Sequence, residues 1–472
     1  MKRFNIITFI LILGSLTAIK ACPVGWQYSD TTYPRSVGYS FVESYGGYIL
    51  TGAVSDESRV QNKLLFMKME PFSSNYSLPS KPLWTKVFDD IKGQGRCIKE
   101  TPDKCLITAG YIPKHDNARP MVMLVKTDSA ANLIWKNSFH VEGKAYSVAL
   151  NDDGGYLVVG NTDDGEEASF DLLLIKYNAS GNFLWSKAYG NEAFDEARCI
   201  TKTSDGNYVI VGSKDMDPHG NNGKLWWIKV DPNGNKLWEK TLTSIENPSR
   251  GFSIAKTTDS GFVISGCSIH TDSTTHLSNY ALLLLKISKQ GEIQWTQDFT
   301  PPDIQTPKEF TSWAEQTNDG GYIVTWNEKR FLKTDSLGNA KWGSDVLPET
   351  QYYCVHQTAR GGYAALGRKA NKLYMMDADN MGRIYIGGTN EASYSDNTFI
   401  VSNPIGNSIT LNYSNLPNGL HAFIYNVSGS KVDELHSSTP SGSITWGNSF
   451  ETGIYFIKDI TTLETKKVVL LK

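Results

Sequence analysis

The sequence predicts an all-β protein, a seven-bladed β-propeller followed by a small C-terminal β-sandwich. Three observations predict it: a glycine-aromatic element recurs about every 50 residues, each recurrence contains four apolar runs of strand length, and the last 70 or so residues follow a different pattern. The chain has 41 Gly, 12 Trp, 23 Tyr and 19 Phe in 472 residues. This composition is typical of short strands joined by tight turns.

The repeat is clearest over residues 153–185, where Asp-Gly-Gly-Tyr opens one strand, Leu-Leu-Leu-Ile-Lys forms another, and Leu-Trp closes the copy. The opening element recurs at Tyr48, Tyr208, Phe262, Tyr322 and Tyr363, with a degenerate copy at 103–105. The closing element recurs at Trp84, Trp135, Trp185, Trp238, Trp295 and Trp342, with Tyr385 in the seventh copy. Residues 38–386 therefore hold seven repeats, and the predicted propeller domain spans 24–386.

Each repeat is predicted to contain four strands. In the fourth repeat the apolar runs are 198–201, 208–211, 225–230 and 236–242, and the turns between them carry Asp-Gly at 205–206 and Asp-Pro-Asn-Gly-Asn at 231–235. Gly supplies the positive φ and Pro presets the turn, and no 3.6-residue period indicates a helix. Four strands make one propeller blade. A single blade cannot bury both faces of its sheet, so neighbouring blades supply the core.

The recurring Trp residues are predicted to fill the wedges between adjacent blades. The alternative is that they line a sugar- or cofactor-binding surface. The first strand of each repeat also carries a recurring small residue, which suits crowded strands around a central channel: Ser40, Cys97, Ser147, Cys199, Ser253 and Cys354. The sixth repeat has Trp313 there, as a predicted plug of the channel.

Cysteines in different blades are not expected to pair across a ring. Cys97 and Cys105 lie on one predicted hairpin, so either a cross-strand disulfide or packing as small apolar residues fits them. Closure of the ring has two candidates. Residues 24–28 resemble a last strand and would complete the seventh blade from the N-terminal side, whereas residues 383–386 are the fourth strand of the last repeat itself.

Residues 1–21 have the form of a signal peptide, with a basic start, an apolar run over 4–13 and small residues at 14, 15, 17 and 18. Cleavage is expected after Ala18 or after Ala21. Cleavage before Cys22 would allow its lipidation, although Lys20 fits a lipidation signal poorly. No later stretch approaches the roughly 18 apolar residues of a transmembrane helix. The chain is therefore expected to be exported.

Residues 387–402 form a polar predicted linker. Residues 403–472 form a second unit whose alternating strands predict a small antiparallel sandwich. Its Asn403-Pro404 start, the Gly-Ser-Lys-Val turn at 429–432, the Gly-Ile-Tyr-Phe strand at 453–456 and the Lys-Lys-Val-Val-Leu end resemble the type A C-terminal sorting domain of the Bacteroidetes type IX secretion system. That resemblance implies that residues 403–472 contact the secretion machinery and that the protein is secreted or held at the outer-membrane surface. The alternative is an ordinary β-sandwich that binds a ligand itself. The propeller repeats resemble those common in secreted proteins of that phylum, which implies no activity.

The charge balance excludes one class of partner. With 46 Lys+Arg against 49 Asp+Glu, the chain has no basic field for nucleic acid. The sequence shows no metal-binding His spacing, nucleophile elbow or phosphate loop, so it assigns no catalytic, cofactor-binding or metal residue and implies no cofactor. Asp128, Asp231 and Asp335 are interpreted as turn caps rather than calcium ligands. The acidic loop 163–167 is either solvated or a calcium site.

Any ligand, protein or carbohydrate, is expected on one face of the propeller. The connections between second and third strands and between repeats differ in length and lie on one face, here called the loop face; the uniform hairpin turns lie on the other, the turn face. The variable connections are 56–62, 113–120, 162–169, 214–222, 270–278 and 301–307. The sequence thus predicts a monomeric, non-catalytic binding module. One alternative is an extracellular hydrolase or lyase acting on polysaccharide or protein; another, a quinoprotein dehydrogenase, lacks its Thr-Gly docking motif.

Overall fold

The computed structural model describes residues 26–44, 46–55, 62–70, 82–113, 119–162, 170–217, 222–243, 247–271, 278–299, 311–326, 330–343, 349–380, 398–401, 405–414, 419–459 and 465–471. The chain divides into two compact units, 1–387 and 388–472. Every regular element in the described residues is a strand. A helix long and apolar enough to cross a membrane is not found among them.

The strands of the first three repeats follow an N-terminal strand. They are β1 (Trp26–Ser29), β2 (Arg35–Ser44), β3 (Gly47–Ser55), β4 (Asn62–Met69), β5 (Pro82–Phe88), β6 (Gln94–Glu100), β7 (Leu106–Ile112), β8 (Met121–Thr127), β9 (Leu133–Leu150), β10 (Tyr156–Thr162), β11 (Leu172–Tyr177) and β12 (Phe183–Tyr189).

The fourth to seventh repeats continue the series. Their strands are β13 (Phe194–Lys202), β14 (Tyr208–Met216), β15 (Lys224–Val230), β16 (Lys236–Thr241), β17 (Ser249–Lys256), β18 (Phe262–Thr271), β19 (Ser278–Ile287), β20 (Ile293–Phe299), β21 (Ser312–Gln316), β22 (Tyr322–Trp326), β23 (Arg330–Thr334), β24 (Ala340–Gly343), β25 (Thr350–Gln357), β26 (Tyr363–Lys369) and β27 (Lys372–Ala378).

Most repeats form one antiparallel sheet of four strands in chain order, namely β2–β5, β13–β16, β17–β20 and β21–β24. The second and third repeats share a seven-stranded sheet, because the 18-residue strand β9 pairs with β8 over its first part and with β10 over its second. The four-strand pattern expected of each repeat is therefore present, with one continuous strand where a break was expected.

The N-terminal strand completes the sheet of the seventh repeat. In the order β1-β27-β26-β25, Trp26 pairs with Asp377 and Ser29 with Tyr374. This confirms closure from the N-terminal side, while the competing segment 383–386 lies outside the described residues. Backbone hydrogen bonds thus tie the two ends of the first unit together.

Each core cluster of the first unit is shared by two consecutive repeats. For example, Leu50 and Leu65 of the first repeat pack with Leu366 and Met375 of the seventh, so the series of shared cores returns to its start. The same holds along the chain from repeat to repeat. Sheets that bury both faces against neighbours in a closed series are arranged as in a β-propeller.

The recurring Trp residues pack against the next repeat, as expected. A Cβ added to Gly181 would lie 2.7 Å from the Trp135 ring, and the same short approach occurs for three further pairs, Trp185 with Gly234, Trp238 with Gly291 and Trp295 with Gly338. These glycines have positive φ, so both the turn and the close approach require them. The Gly and Trp excess is therefore architectural.

The second unit contains a three-stranded and a five-stranded sheet. Their strands are β28 (Thr398–Val401), β29 (Ile405–Gly406), β30 (Ile409–Ser414), β31 (His421–Asn426), β32 (Lys431–His436), β33 (Gly442–Trp446), β34 (Gly453–Asp459) and β35 (Thr465–Leu470). The orders are β28-β30-β33 and β29-β35-β34-β31-β32, and one core draws on both sheets.

Two details of the second unit differ from the expectation. Strand β28 lies inside the predicted linker 387–402 and pairs with β30, so the short apolar run 398–401 at the end of the polar stretch belongs to the second unit. The β29–β35 pair is parallel, whereas an antiparallel arrangement was expected. Two residues of β29 suffice for that pairing, which is too short to leave an alternating pattern.

Candidate functional site

The innermost strand of most repeats contains a β-bulge directly before its Ser or Cys. The register shifts there in β2, β6, β9, β13, β17 and β25, and each shift leaves one residue without a partner across the ladder. These bulge residues are Tyr39, Arg96, Tyr146, Arg198, Phe252 and Tyr353. Bulges re-aim side chains, and here they place a series of aromatic and Arg residues at equivalent points of successive repeats.

The Ser and Cys residues that follow the bulges join one inner strand to the next. Ser40 Oγ accepts the Ile98 N–H at 3.2 Å, and Ser253 Oγ accepts the Ala314 N–H at 3.0 Å. Cys199 donates its thiol to the Ile254 carbonyl at 3.8 Å. Their role is architectural, as the small-residue pattern indicated. Every cysteine in the described residues is free, so the possible disulfide of Cys97 is not formed.

Trp313 occupies the centre of this arrangement. It contacts core clusters shared by repeats seven and one, four and five, and six and seven. A single side chain that reaches clusters on separated parts of the ring lies between them, which supports its predicted role as a plug. Its strand is also the regular one, since Trp313 pairs with Thr325 without a bulge.

Five of the bulge residues form what we call the Arg-Tyr arc. The Arg96 guanidinium lies 4.0 Å from the Tyr39 ring centroid and 5.4 Å from that of Tyr146, and the Arg198 guanidinium lies 4.4 Å from the Tyr146 centroid. Tyr353 continues the arc, with its ring 5.0 Å from Tyr39. All five side chains are half-buried. Cation–π contacts of this kind hold the guanidinium groups in place.

Some guanidinium N–H groups of the arc have no acceptor in the described residues. Arg198 pairs with Glu196 at 2.7 Å, but its Nε is buried without an acceptor in the described residues, as is Nε of Arg250. Among those residues Arg96 has ring contacts and no hydrogen-bond acceptor. A guanidinium carries five N–H donors. The two guanidinium groups therefore carry more donors than the described residues satisfy.

Electrostatics keep these groups in their ordinary charge states. Burial raises the pKa of the Tyr146 hydroxyl, and Arg198 and Arg96 offset part of that rise. Burial alone would lower the pKa of Arg198, but Glu196 and Tyr146 outweigh it, and the pKa is raised. Arg198 is thus a permanent cation beside a neutral phenol.

A cavity of about 260 Å³ adjoins the arc at the seam between the first and seventh repeats. Tyr39 lines it together with Arg35, Arg368 and Gln94. Ser55, another lining residue, precedes the variable connection 56–62, so the cavity belongs to the loop face. Arg368 donates its Nε–H to Gln351. The cavity extends the Arg-Tyr arc with two further cations.

The described residues contain one His-Ser-Asp group that could suggest catalysis, on β18 and β20. The Ser268 hydroxyl donates to Asp298 at 2.6 Å, and His270 Nε2 lies 3.3 Å from the same oxygen and 3.0 Å from the hydroxyl. Ser268 is 0% exposed, and its proton is already directed at the carboxylate. This arrangement lacks an accessible nucleophile with a base poised to accept its proton.

The sites expected from the sequence had mixed outcomes, because most of the variable connections, including the acidic loop 163–167, lie outside the described residues. The Asp turn caps are confirmed, since Asp128 Oδ1 accepts the Ala130 and Asn132 N–H groups at 2.9 and 2.8 Å, and Asp231 and Asp335 do the same in their turns. The Arg-Tyr arc was missed. Its signal was present, since each member precedes a recurring Ser or Cys, but only the bulges bring these residues together.

Comparison with known proteins gives structural likeness alone. The sequence matches no family model and no curated protein. Similar solved structures include PorZ, a surface component of the type IX secretion system of Porphyromonas gingivalis, at 9% identity and a TM-score of 0.40, over 92% of this chain and 59% of PorZ. The WD40 propeller domain of Doa1 has 12% identity and a TM-score of 0.45, over 74% and 95% of the two chains. The WD40 domain of Neurospora crassa Pan2 has 10% identity and a TM-score of 0.43, over 75% and 98%. The chain spans less than two thirds of PorZ, and likenesses at this level assign no activity.

Proposed function

We propose that this protein is a non-catalytic binding module whose ligand site is the Arg-Tyr arc on the loop face of a seven-bladed propeller. The observation that carries the proposal is the reserve of unpaired guanidinium donors at Arg96 and Arg198, held by the tyrosines around them. Ordered cations without internal acceptors favour binding of an external partner over a purely structural role.

The blade count is supported by the shared cores. Seven clusters of the described residues each draw on two consecutive repeats, and the seven-stranded sheet holds two repeats joined through β9. We count this sheet as two blades. The second unit, in which two sheets share one core, fits the proposed C-terminal sandwich.

The proposed delivery route rests on the sequence patterns of residues 1–21 and 403–472. Residues 1–21 would direct export to the periplasm, and residues 403–472 would contact the type IX secretion machinery, leaving a monomeric propeller secreted or displayed at the cell surface. The sequence motifs of 403–472 support this route. It is tested by deleting 403–472 and measuring whether the propeller stays in the periplasm instead of reaching the surface or medium. Unchanged surface display would contradict it.

The enzymatic alternative is a hydrolase or lyase on polysaccharide or protein. The buried Ser268 and its carboxylate contact argue against catalysis at β18 and β20. The deciding experiment screens the exported chain on arrays of glycans and peptides for retention, and then assays each retained ligand for cleavage. Retention without product supports a binding module, and product release at catalytic turnover would replace it with the enzyme.

A matched pair of variants on strand β13 tests on which face of the propeller the binding site lies. Arg198→Gln alters the arc, whereas Lys202→Gln removes the same charge at the turn-face end of β13, where Lys202 donates to Asp152. Loss of array binding in the first variant and its retention in the second supports the loop face. Binding lost only with Lys202→Gln would move the site to the opposite face.

A further inference from the structure

We propose that the Arg-Tyr arc recognises an acidic peptide segment, with Arg96 and Arg198 binding two of its carboxylates. This inference rests on the proposed function and specifies its ligand. The first argument is chemical. Planar guanidinium groups bind carboxylates through two parallel hydrogen bonds, and both groups have donors that the described residues leave unpaired.

The spacing of the two cations fits an extended chain. Both guanidinium groups contact the Tyr146 ring, at 5.4 and 4.4 Å from its centroid, so they lie within about 10 Å of each other. Side chains at positions i and i+2 of an extended peptide are roughly 7 Å apart and point the same way. Two alternate acidic residues would therefore reach both cations without distortion.

The surrounding charge is positive although the chain as a whole carries a net charge of -3. Arg35 and Arg368 line the adjoining cavity, and Arg250 lies on the neighbouring strand β17. Glu196 is the acid beside the arc and offsets the charge of Arg198, which leaves Arg96, Arg35, Arg368 and Arg250 in excess. A local excess of cations attracts anionic segments and speeds their encounter.

The aromatic residues favour a peptide over an acidic polysaccharide. Sugar rings are commonly bound against open aromatic faces, but guanidinium groups already stack on Tyr39 and Tyr146. The recurring Trp rings are packed against the turn glycines of the next repeat. The arc presents positive charge and hydrogen-bond donors, and a peptide carboxylate matches both because it is an anion with two acceptor oxygens.

The test is fluorescence anisotropy of the exported full chain with a labelled octaglutamate peptide at physiological salt. We expect saturable binding that Arg96→Gln and Arg198→Gln each weaken at least about tenfold, as removal of one partner of a charged contact does. Arg96→Lys keeps the charge but loses the planar fork, so it should fall between wild type and Arg96→Gln. Lys202→Gln is the charge-matched control and should change binding less than about twofold.

Thermal melts of each variant verify that it is folded. Two further probes are octalysine, a cationic peptide that should not bind, and oligogalacturonate, an acidic polysaccharide. Equal weakening by Lys202→Gln would reveal unspecific electrostatics and overturn the proposal. If oligogalacturonate binds more tightly than octaglutamate and Arg96→Gln abolishes that binding, the ligand is a polysaccharide and not a peptide. The arc would then still be the binding site. Absence of octaglutamate binding at millimolar concentration would also overturn the inference, and the array screen would then decide the proposed function independently.

Discussion

The two ends of the inner strands differ in how their charges are satisfied. At the turn face, repeats two to six each place a turn Asp against a Lys of the third strand, and the Lys side chains are at most 14% exposed; the pairs are Lys126–Asp103, Lys176–Asp153, Lys229–Asp205, Lys286–Asp259 and Lys333–Asp319. At the loop face, Arg96 and Arg198 retain unpaired donors. The repeated end uses charge for architecture, and in the proposed function the irregular end uses its charge to bind a partner.

The seventh repeat reverses its pair. Arg360 occupies the turn where other repeats have Asp, and Asp377 occupies the strand where they have Lys, and the two form an ion pair. Tyr48 of the first repeat also donates to Asp377, at 3.0 Å. Because the turn residue and the strand residue both have the opposite charge to their counterparts in the other repeats, the ion pair is kept. The turn therefore requires the ion pair and not a particular sign at either position.

The largest expected effect comes from breaking one regular pair. Asp259→Ala leaves the Lys286 ammonium 6% exposed and without its carboxylate, and an unpaired buried charge is costly. Since Asp259 itself is half exposed, we expect a loss of about 2 kcal/mol in the free energy of unfolding, below the full cost of a buried pair. Urea unfolding measures it.

The control for that prediction lies in the same repeat. Glu292 is 70% exposed where it pairs with Lys240, so Glu292→Ala should cost less than about 0.5 kcal/mol. Equal losses in the two variants would show that the turn-face pairs are ordinary surface contacts, and the contrast between the two faces would lose its basis.

The next effect is a rescue in the seventh repeat. Arg360→Asp and Asp377→Lys should each destabilise the protein, because each places like charges together, whereas the double variant restores the order of the other repeats. The double-mutant cycle should give a favourable coupling of about 1 kcal/mol, measured by urea unfolding. Additive losses would show that Asp377 is required for its contact with Tyr48 rather than for the pair.

The sequence predicted the features that recur in every repeat, namely the strands and the contacts between repeats. It missed the features that depend on local irregularities of the strands, such as bulges. Turn signals and apolar runs located the strands, and recurring Trp and Gly predicted contacts between repeats because the same chemistry appears each time. The bulge at Arg96 leaves no composition signal, and β9 continues through 133–150, a segment that contains one Gly and no Pro. The Lys-Asp pairs were visible as a recurring Lys, but its partner is remote in sequence.

The smallest expected effect is a difference in pH dependence between the two kinds of pair. Burial raises the pKa of Asp377 from 3.8 to about 6, more than Arg360 and the Tyr48 hydrogen bond lower it. Burial would also raise the pKa of Asp259, but the hydrogen bonds from Lys286, Thr257 and the Gly261 N–H together outweigh burial, and the pKa falls to about 2. Folding therefore favours the protonated form of the first acid and the ionised form of the second.

The two acids should consequently give slopes of opposite sign. The folded state holds the Asp377 proton up to about pH 6 whereas the unfolded chain releases it near 3.8, so the stabilising contribution of Asp377 falls as pH rises from about 4 to 6. The contribution of Asp259 is present above its ordinary pKa and is lost as pH falls from about 4 to 2. Urea unfolding of wild type, Asp377→Asn and Asp259→Asn across pH 2.5 to 7 separates them, because each Asn variant removes one titration. Parallel curves for wild type and Asp377→Asn between about pH 4 and 6 would mean that pairing with Arg360 overcomes burial, which would make the reversed pair equivalent to the regular ones.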